Sequence, residues 1–236
     1  SGGFYSAQDA DSEGEEGKFF VWKQEEIVES LGEEEARNFN TYHDVTAAGN
    51  FEGKNILNVK NPVAPAPGFD TRAKLFVERE KRIKPFRDEK VLTAWNGLML
   101  AAFADAARVL HDDNYLEIAK RNVEFICTNL MTGDSALTSC GPLQNPGRLL
   151  RTWKDGKAKL NGYVEDYANV ADALVELYQA TGEIDYIVEA KRLAETMITE
   201  FWDEESGGFF FTSNDHEELI VRNKDFYDNA TPSGNS

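Results

Sequence analysis

The sequence predicts an all-α fold of repeated helical hairpins, stacked as an array or closed as a ring, with short β-hairpins in the loops. Three observations carry this prediction. Two long stretches each show a pair of amphipathic helices joined by a short polar turn. The two pairs align as a repeat, with Ala102 on Ala173, Tyr115 on Tyr186 and Ala119 on Ala190. Outside the helices, Gly2-Gly3-Phe4-Tyr5 is echoed by Gly207-Gly208-Phe209-Phe210, and recurrence of a unit signals a stacked or circular architecture.

The elements follow in chain order. Residues 1–22 are Gly-rich, acidic and aromatic without helical period, and read as a strand, a loop and a second strand around Phe19-Phe20-Val21-Trp22. A helix from Gln24 to Leu31 ends at Gly32, and a second covers Glu33 to Tyr42. Residues 44–69 read as irregular, and the prolines of the 61–68 stretch remove backbone donors and fix φ. Asp70 or Thr71 caps a helix running to Lys84, closed by Pro85. The long helix from about Val91 carries Leu98, Ala102, Phe103, Ala106, Val109 and Leu110 on one face. Its partner carries Leu116, Ala119, Val123, Ile126, Cys127 and Leu130. The later pair carries Tyr167, Val170, Leu174 and Leu177, then Tyr186, Ala190, Leu193, Met197 and Phe201, joined by Thr181-Gly182-Glu183. Both ends of the sequence fall inside patterned segments, so the chain reads as part of a longer one and the array as incomplete.

The charge balance excludes some functions. A formal net charge of −17, from 42 acidic against 25 basic residues, repels phosphate backbones and anionic lipid, so neither nucleic acid nor membrane is an expected partner. No window approaches the roughly 20 apolar residues that span a bilayer. Cys127 and Cys140 lack metal-ligand spacing, and two lone thiols suit a reducing, cytoplasmic setting. His43, His111 and His216 are far apart in sequence, and there is no phosphate loop or dinucleotide fingerprint, so no metal or cofactor is expected.

Three segments carry candidate chemistry. Between Asp9 and Gly17 lie five carboxylates, but the helix-loop-helix calcium pattern fails because its bidentate glutamate position is Phe20. The other two are the helix starts Asp88-Glu89-Lys90-Val91-Leu92-Thr93-Ala94-Trp95-Asn96 and Gly162-Tyr163-Val164-Glu165-Asp166-Tyr167. In the repeat, Trp95 aligns with Asp166 and Asn96 with Tyr167, which places both clusters at one end of the assembly. Aromatic rings cover the apolar face of a pyranose, and carboxylates and amides bond its hydroxyls. Asp9, Asp11, Trp95, Asn96 and Tyr167 are the candidate ligand-binding residues. Asp88, Glu165 and Asp166 are the candidate catalytic ones, two of which would act as general acid and base. Acidic residues in a first helical turn also stabilise the helix dipole by about 0.3–1 kcal/mol without any further role. The basic run from Arg148 to Lys157 pairs with nearby carboxylates or crosses the mouth of the cleft, and Arg222, Lys224, Asp228 and Asn235 extend the rim.

The strings GGFYSAQDADSEGEEGKFFVW, GNFEGKNIL, DEKVLTAWNGLMLAAFADAAR, GYVEDYANVADALVELYQATG, FWDEESGGFFFT and DNATPSGNS resemble the spermatogenesis-associated, thioredoxin-domain-containing family, of the YyaL type in bacteria. The resemblance runs nearly end to end. It implies an (α/α) toroid similar to those of six-hairpin glycosidases and N-acylglucosamine 2-epimerases, preceded in the full-length protein by a thioredoxin-like domain. No Cys-x-x-Cys motif occurs in this chain, so redox chemistry is not assigned to it. Those epimerases use histidines on inner helices, whereas the helix starts here carry Trp95-Asn96 and Glu165-Asp166. Two readings follow: a toroid that binds or processes a carbohydrate or similar small polar ligand, or a non-catalytic module that supports the thioredoxin-like domain. A ring left open exposes apolar helix faces, which favours a homo-oligomer.

Overall fold

The computed structural model describes residues 2–60, 62, 66–137, 147–216 and 219–236. In chain order the elements are β1 (Ala7–Gln8), β2 (Asp11–Ser12), β3 (Glu15–Glu16), α1 (Gln24–Leu31), α2 (Glu33–His43), α3 (Phe69–Arg79), β4 (Arg87–Asp88), β5 (Val91–Leu92), α4 (Thr93–Leu110), α5 (Asp113–Asn129), β6 (Met131–Thr132), β7 (Arg148–Lys154), β8 (Lys157–Asn161), α6 (Val164–Thr181) and α7 (Ile184–Phe201). They divide between two compact units, one of residues 8–88 and one of residues 1–7 with 89–236. The class is all-α with short strands in the loops, and the larger unit contains two neighbouring hairpins of an (α/α) array.

In the 8–88 unit, the acidic segment folds as the hairpin β2–β3, pairing Asp11 with Glu16 and Ser12 with Glu15. Glu13 and Gly14 have φ of 54° and 76°, the two left-handed positions of a tight hairpin turn. The crowded carboxylates are met by lysines: Lys18 reaches Glu13 at 3.4 Å and Glu15 at 3.0 Å, and Lys54 reaches Glu15 at 3.3 Å. The expected strand around Phe19–Trp22 reduces to one bridge, Trp22 with Asn55. Asn55 is buried and fully used, its Nδ2 donating to the carbonyls of Trp22 and Thr46 and its Oδ1 accepting from the Thr46 N–H.

Gly32 ends α1 and starts α2 at φ 80° and ψ 162°, a region open essentially to glycine alone. The helix expected from Asp70 or Thr71 to Lys84 instead begins at Phe69, with Gly68 as N-cap, and stops at Arg79. Thr71 is not a cap: its hydroxyl donates to Glu35 on α2, and Lys74 reaches the same carboxylate at 2.6 Å. Residues 79–82 tighten into i→i+3 turns, and Arg82 donates to the carbonyls of Phe19 (3.0 Å) and Val21 (2.7 Å). The core of this unit is Trp22, Ile27, Ala36, Phe39, Val45 and Leu75. Of the proline-rich stretch, residues 61 and 63–65 lie outside the described residues.

In the larger unit, 71 residues separate Thr93 from Val164, and 71 separate Asp113 from Ile184, so the aligned repeat is a structural one. α5 turns back on α4, bringing Phe103 within 6.0 Å of Tyr115 between ring centroids. α4 and α6 run parallel. The Ala94 N–H donates to Asp166 Oδ1 at 2.8 Å, Asn169 Nδ2 donates to the Ala94 carbonyl at 3.3 Å, and Gly97 lies against the backbone of Asn169 and Val170. α7 packs on α6. The buried faces of α5, α6 and α7 are the expected ones, apart from partial exposure of Leu116 and Met197. Each fully buried leucine, such as Leu174 or Leu193, contributes about 1.5–3 kcal/mol.

On α4 the stripe is different. Ala94, Gly97, Leu100 and Ala104 are buried, whereas Ala102, Val109 and Leu110 are exposed. That helix is apolar almost all round, so periodicity cannot select a face.

Val91–Leu92 forms β5, antiparallel to β7, instead of the first turn of α4. The basic run proves to be the hairpin β7–β8, which pairs Lys154 with Lys157 across Asp155-Gly156. Asp-Gly is a recognised hairpin turn. No helix among the described residues is long and apolar enough to cross a membrane.

Candidate functional site

The parallel starts of α4 and α6 define one rim of the larger unit. Asp166, the third residue of α6, is fully buried. Its Oδ1 accepts from the Ala94 N–H and from Arg151 Nη1 at 3.0 Å, and its Oδ2 accepts from the Tyr163 N–H at 2.8 Å. Three of the rim's donors, two of them orphan N–H groups at helix starts, thus converge on one carboxyl. Burial pushes that carboxyl up to about 7, against the opposing pull of Arg151 and the backbone donors.

Arg151 projects from β7 with its guanidinium 4.9 Å from the Tyr163 ring centre, and its Nη1 also reaches Glu165 Oε1 at 2.5 Å. Glu165 keeps 18% side-chain exposure, so its carboxylate is partly open to solvent while Asp166 beside it is not.

Tyr167 is internal. Its hydroxyl accepts from the Leu149 N–H and from Arg148 Nε, both at 3.0 Å, and its ring lies 5.3 Å from Phe201. Burial raises its pKa. Asn96 is also internal. Its amide clamps both backbone groups of Phe4, accepting from the N–H at 2.8 Å and donating to the carbonyl at 3.1 Å, and it bonds Leu92 and Asn122 as well. Asn235 grips Phe209 in the same two-point manner, at 2.6 Å and 2.9 Å. The Gly-Gly-Phe echo therefore has a common physical device: an asparagine amide paired edge-on with the phenylalanine peptide groups, as a neighbouring strand would be. Trp95, just before Asn96 on the first turn of α4, is 41% exposed.

Asp9, Asp11 and Asp88 belong to the 8–88 unit. Asp9 and Asp11 are exposed at the base of the acidic hairpin, where Asp9 Oδ1 accepts from the Asp11 N–H at 3.3 Å, and Asp88 is half-buried at the end of β4. Among the described residues no group of three or more His, Cys, Asp or Glu side chains is placed to hold a metal ion. Cys127 is a buried free thiol, pushed by burial up to about 12, and Cys140 lies outside the described residues.

The basic run pairs with nearby carboxylates, as expected of it, through Arg151 with Glu165 and Asp166 and Arg148 with Asp215. Sequence reasoning had Tyr163 in a candidate segment but gave neither it nor Arg151 a role at the rim. It also missed the aromatic group in which Tyr163 lies 4.7 Å from Phe211 and 5.7 Å from His216. The signal for Arg151 was the Asp-Gly hairpin: alternation on β7 gives Leu149 and Arg151 one face, and Leu149 is buried.

No family model matches the chain. The chain is 32% identical to spermatogenesis-associated protein 20 of Homo sapiens over an alignment of 283 positions, gaps included, and 32% identical to its Rattus norvegicus counterpart over 285. An uncharacterized Caenorhabditis elegans protein is 28% identical over 271 residues. Each match covers 100% of this chain but only 34–36% of the relative, so the chain spans about a third of the length of the curated relatives it matches. Among solved structures, a cellobiose 2-epimerase from Bacillus thermoamylovorans overlaps 55% of this chain and 31% of its own, at 22% identity and a TM-score of 0.43. A sugar epimerase from a ruminal bacterium overlaps 51% and 28%, at 21% identity and a TM-score of 0.42. At those scores the overlaps say nothing about ligand or reaction.

Proposed function

We propose that the larger unit binds a carbohydrate, or a polar ligand of similar size, at the rim where α4 and α6 start. Trp95 supplies an aromatic surface, and Glu165 with Arg151 supplies polar partners. The observation that carries this reading is the division of labour at the rim. Asn96, Asp166 and Tyr167 are buried and bonded within the protein, whereas Trp95 and Glu165 stand on the same first turns with exposed surface. A fixed polar floor beneath an aromatic ring and a carboxylate is the arrangement that orients a ligand without reorganising. In this proposal Asp166, Asn96 and Tyr167 are positioning residues. A carboxyl held near 7 has the poise for acid–base work, but burial of Asp166 leaves contact with ligand to Glu165. The buried, free Cys127 fits a reducing, cytoplasmic setting.

The test is calorimetry and thermal shift of the intact chain against a panel of mono- and disaccharides. Trp95→Ala and Glu165→Gln should each weaken binding about tenfold or more with unfolding unchanged. Asp166→Asn should change stability first. Absence of any saturable response across the panel overturns the proposal.

A second reading has its own observation. Val109, Leu110, Ile184 and Ile198 are exposed on the helices of this unit, as on a module that seats another chain or a thioredoxin-like domain. That reading predicts that Trp95→Ala changes no ligand response at all.

A further inference from the structure

The 8–88 unit holds a cavity of about 520 Å³ with no part in the function proposed above. Buried Trp22, Phe39 and Leu75 contribute to its floor. One wall is the open side of α3, where Phe69, Arg72, Ala73 and Phe76 fall at i, i+3, i+4 and i+7 and so share a stripe. Phe69 is 78% exposed, Phe76 53% and the adjoining Val77 60%. A helix that presents phenylalanines to solvent along a stripe, over an already buried core face, has an unpartnered apolar surface.

The charges around the cavity set the chemistry. The chain has 42 acidic and 25 basic residues, yet among the described residues no carboxylate lines this cavity; the charged side chains that do are Arg72 and Arg79. Among the described residues neither arginine side chain has a salt bridge, whereas the nearby Lys74 and Arg82 are paired with Glu35 and Glu26. Arg79 is held among aromatic rings, 5.5 Å from the centres of Phe19 and Phe76, and its Nε is buried without a hydrogen-bond partner. Buried donors in native proteins are nearly always satisfied, so Arg79 is an incompletely satisfied cation beside an apolar cavity, with no protein carboxylate in a salt bridge to it among the described residues. His43, also at the cavity, bonds the Asn58 carbonyl through Nδ1 at 3.1 Å. Burial, with a smaller contribution from the neighbouring Arg72, lowers its pKa.

We infer that this cavity binds an amphipathic monocarboxylate: an aryl or acyl body lies on the aromatic floor and its carboxylate is held by Arg72 and Arg79. The volume falls in the range of small-ligand sites, which are mostly apolar with a few convergent polar groups. The guanidinium fork matches a carboxylate in two-point geometry. The overall negative field disfavours polyanions and so selects a singly charged ligand.

The test is calorimetry of the intact chain with octanoate and phenylbutyrate against octanol, octylamine and octyl phosphate. The carboxylates should bind at least about tenfold more tightly than the alcohol. The double variant Arg72→Gln/Arg79→Gln should abolish that preference with thermal unfolding unchanged. Ala73→Trp, which fills the cavity and leaves both arginines in place, should remove binding altogether, so a misfolded double variant would not leave the question open. Saturation with octanoate should raise the His43 pKa, followed by its ring proton resonances, because an anion then sits beside the imidazole. Equal binding of octanol and octanoate, preference for octyl phosphate, binding of an acidic aromatic peptide but of neither carboxylate, or no binding at all would each overturn the assignment.

Discussion

Gly97→Ala sets two physical effects against each other, and the structure decides the sign. Gly97 lies in the interior of α4 with an ordinary helical φ, so helix propensity alone predicts that alanine stabilises by about 1 kcal/mol. A Cβ at this position, however, would lie 2.7 Å from the backbone carbon of Asn169, 2.9 Å from its carbonyl oxygen and 2.9 Å from the Val170 nitrogen. All three are main-chain atoms of α6, so no rotamer change relieves the clash. The two helices must part, which also stretches the bonds from Ala94 to Asp166 and from Asn169 to Ala94. Overpacking costs about 1–3 kcal/mol, and a weakened bond to a buried carboxyl adds about 1.5–3 kcal/mol. Against a gain of about 1 kcal/mol, the net is a destabilisation of about 1.5–5 kcal/mol. Urea unfolding with a fluorescence readout and hydrogen exchange across residues 89–98 measure it globally and locally. Gly68→Ala is the control, since a Cβ there meets nothing within 4 Å, and it should cost only the modest difference between glycine and alanine at a helix N-cap, about 1 kcal/mol or less. If Gly97→Ala is as stable as the wild type or more so, the close parallel contact of α4 and α6 is refuted.

Two further predictions test the rim and its anchors, and a third tests the buried thiol of α5. Asn96→Ala removes four hydrogen bonds and leaves the Phe4 peptide groups without their partner, so it should cost more than Asn235→Ala, whose site is partly open; about 3 against about 1 kcal/mol by chemical denaturation would fit. Burial raises Asp166 from 3.8 to about 7, so the folded protein holds this proton more tightly than the unfolded chain does. Its stabilising contribution is therefore complete below about 3.8 and is lost as pH rises through about 7. Asp166→Asn should flatten the stability profile measured between those values, and an unchanged slope would refute the burial argument. In a Cys140→Ser background, Cys127 should resist thiol labelling at pH 8 until denaturant is added, because the thiol is buried and its pKa lies near 12.

Legibility in the sequence followed how one-sided each helix is. On α6, Tyr167, Val170, Leu174 and Leu177 mark one face against Glu165, Asp172, Glu176 and Gln179 elsewhere on the helix, and all four are buried as their period requires. α4 offers Leu98, Met99, Leu100, Ala101 and Ala102 in a row, so the choice of face fell to its neighbour α6, through Gly97, and not to its own pattern. The acidic segment was readable as a charged loop but not as a tight hairpin neutralised by Lys18 and Lys54, because Lys54 arrives from a distant part of the chain. For the same reason the helix-start clusters were visible at Trp95, Asn96, Glu165 and Asp166, whereas Arg151, which pairs with both acids, depends on the register of a hairpin that only the fold supplies.

The Gly-Gly-Phe echo carries the argument from fold to function furthest. The echo sits outside the helices, where periodicity gives no reason for similarity, and at both copies an asparagine amide grips the phenylalanine backbone. An asparagine used this way spends its donors and acceptor on main-chain groups, so it fixes where the incoming strand ends relative to the helix start. At the first copy the residue just before the anchor, Trp95, is exposed, and the buried carboxyl of Asp166 binds the N–H one residue earlier. The geometry presented at the rim is thus set by side chains that never face a ligand. Replacing a positioning residue should move stability and pH dependence first, and replacing Trp95 or Glu165 should move ligand response alone. A protein in which both kinds of substitution changed only stability would have a structural rim, and that separation can be measured without knowing the ligand in advance.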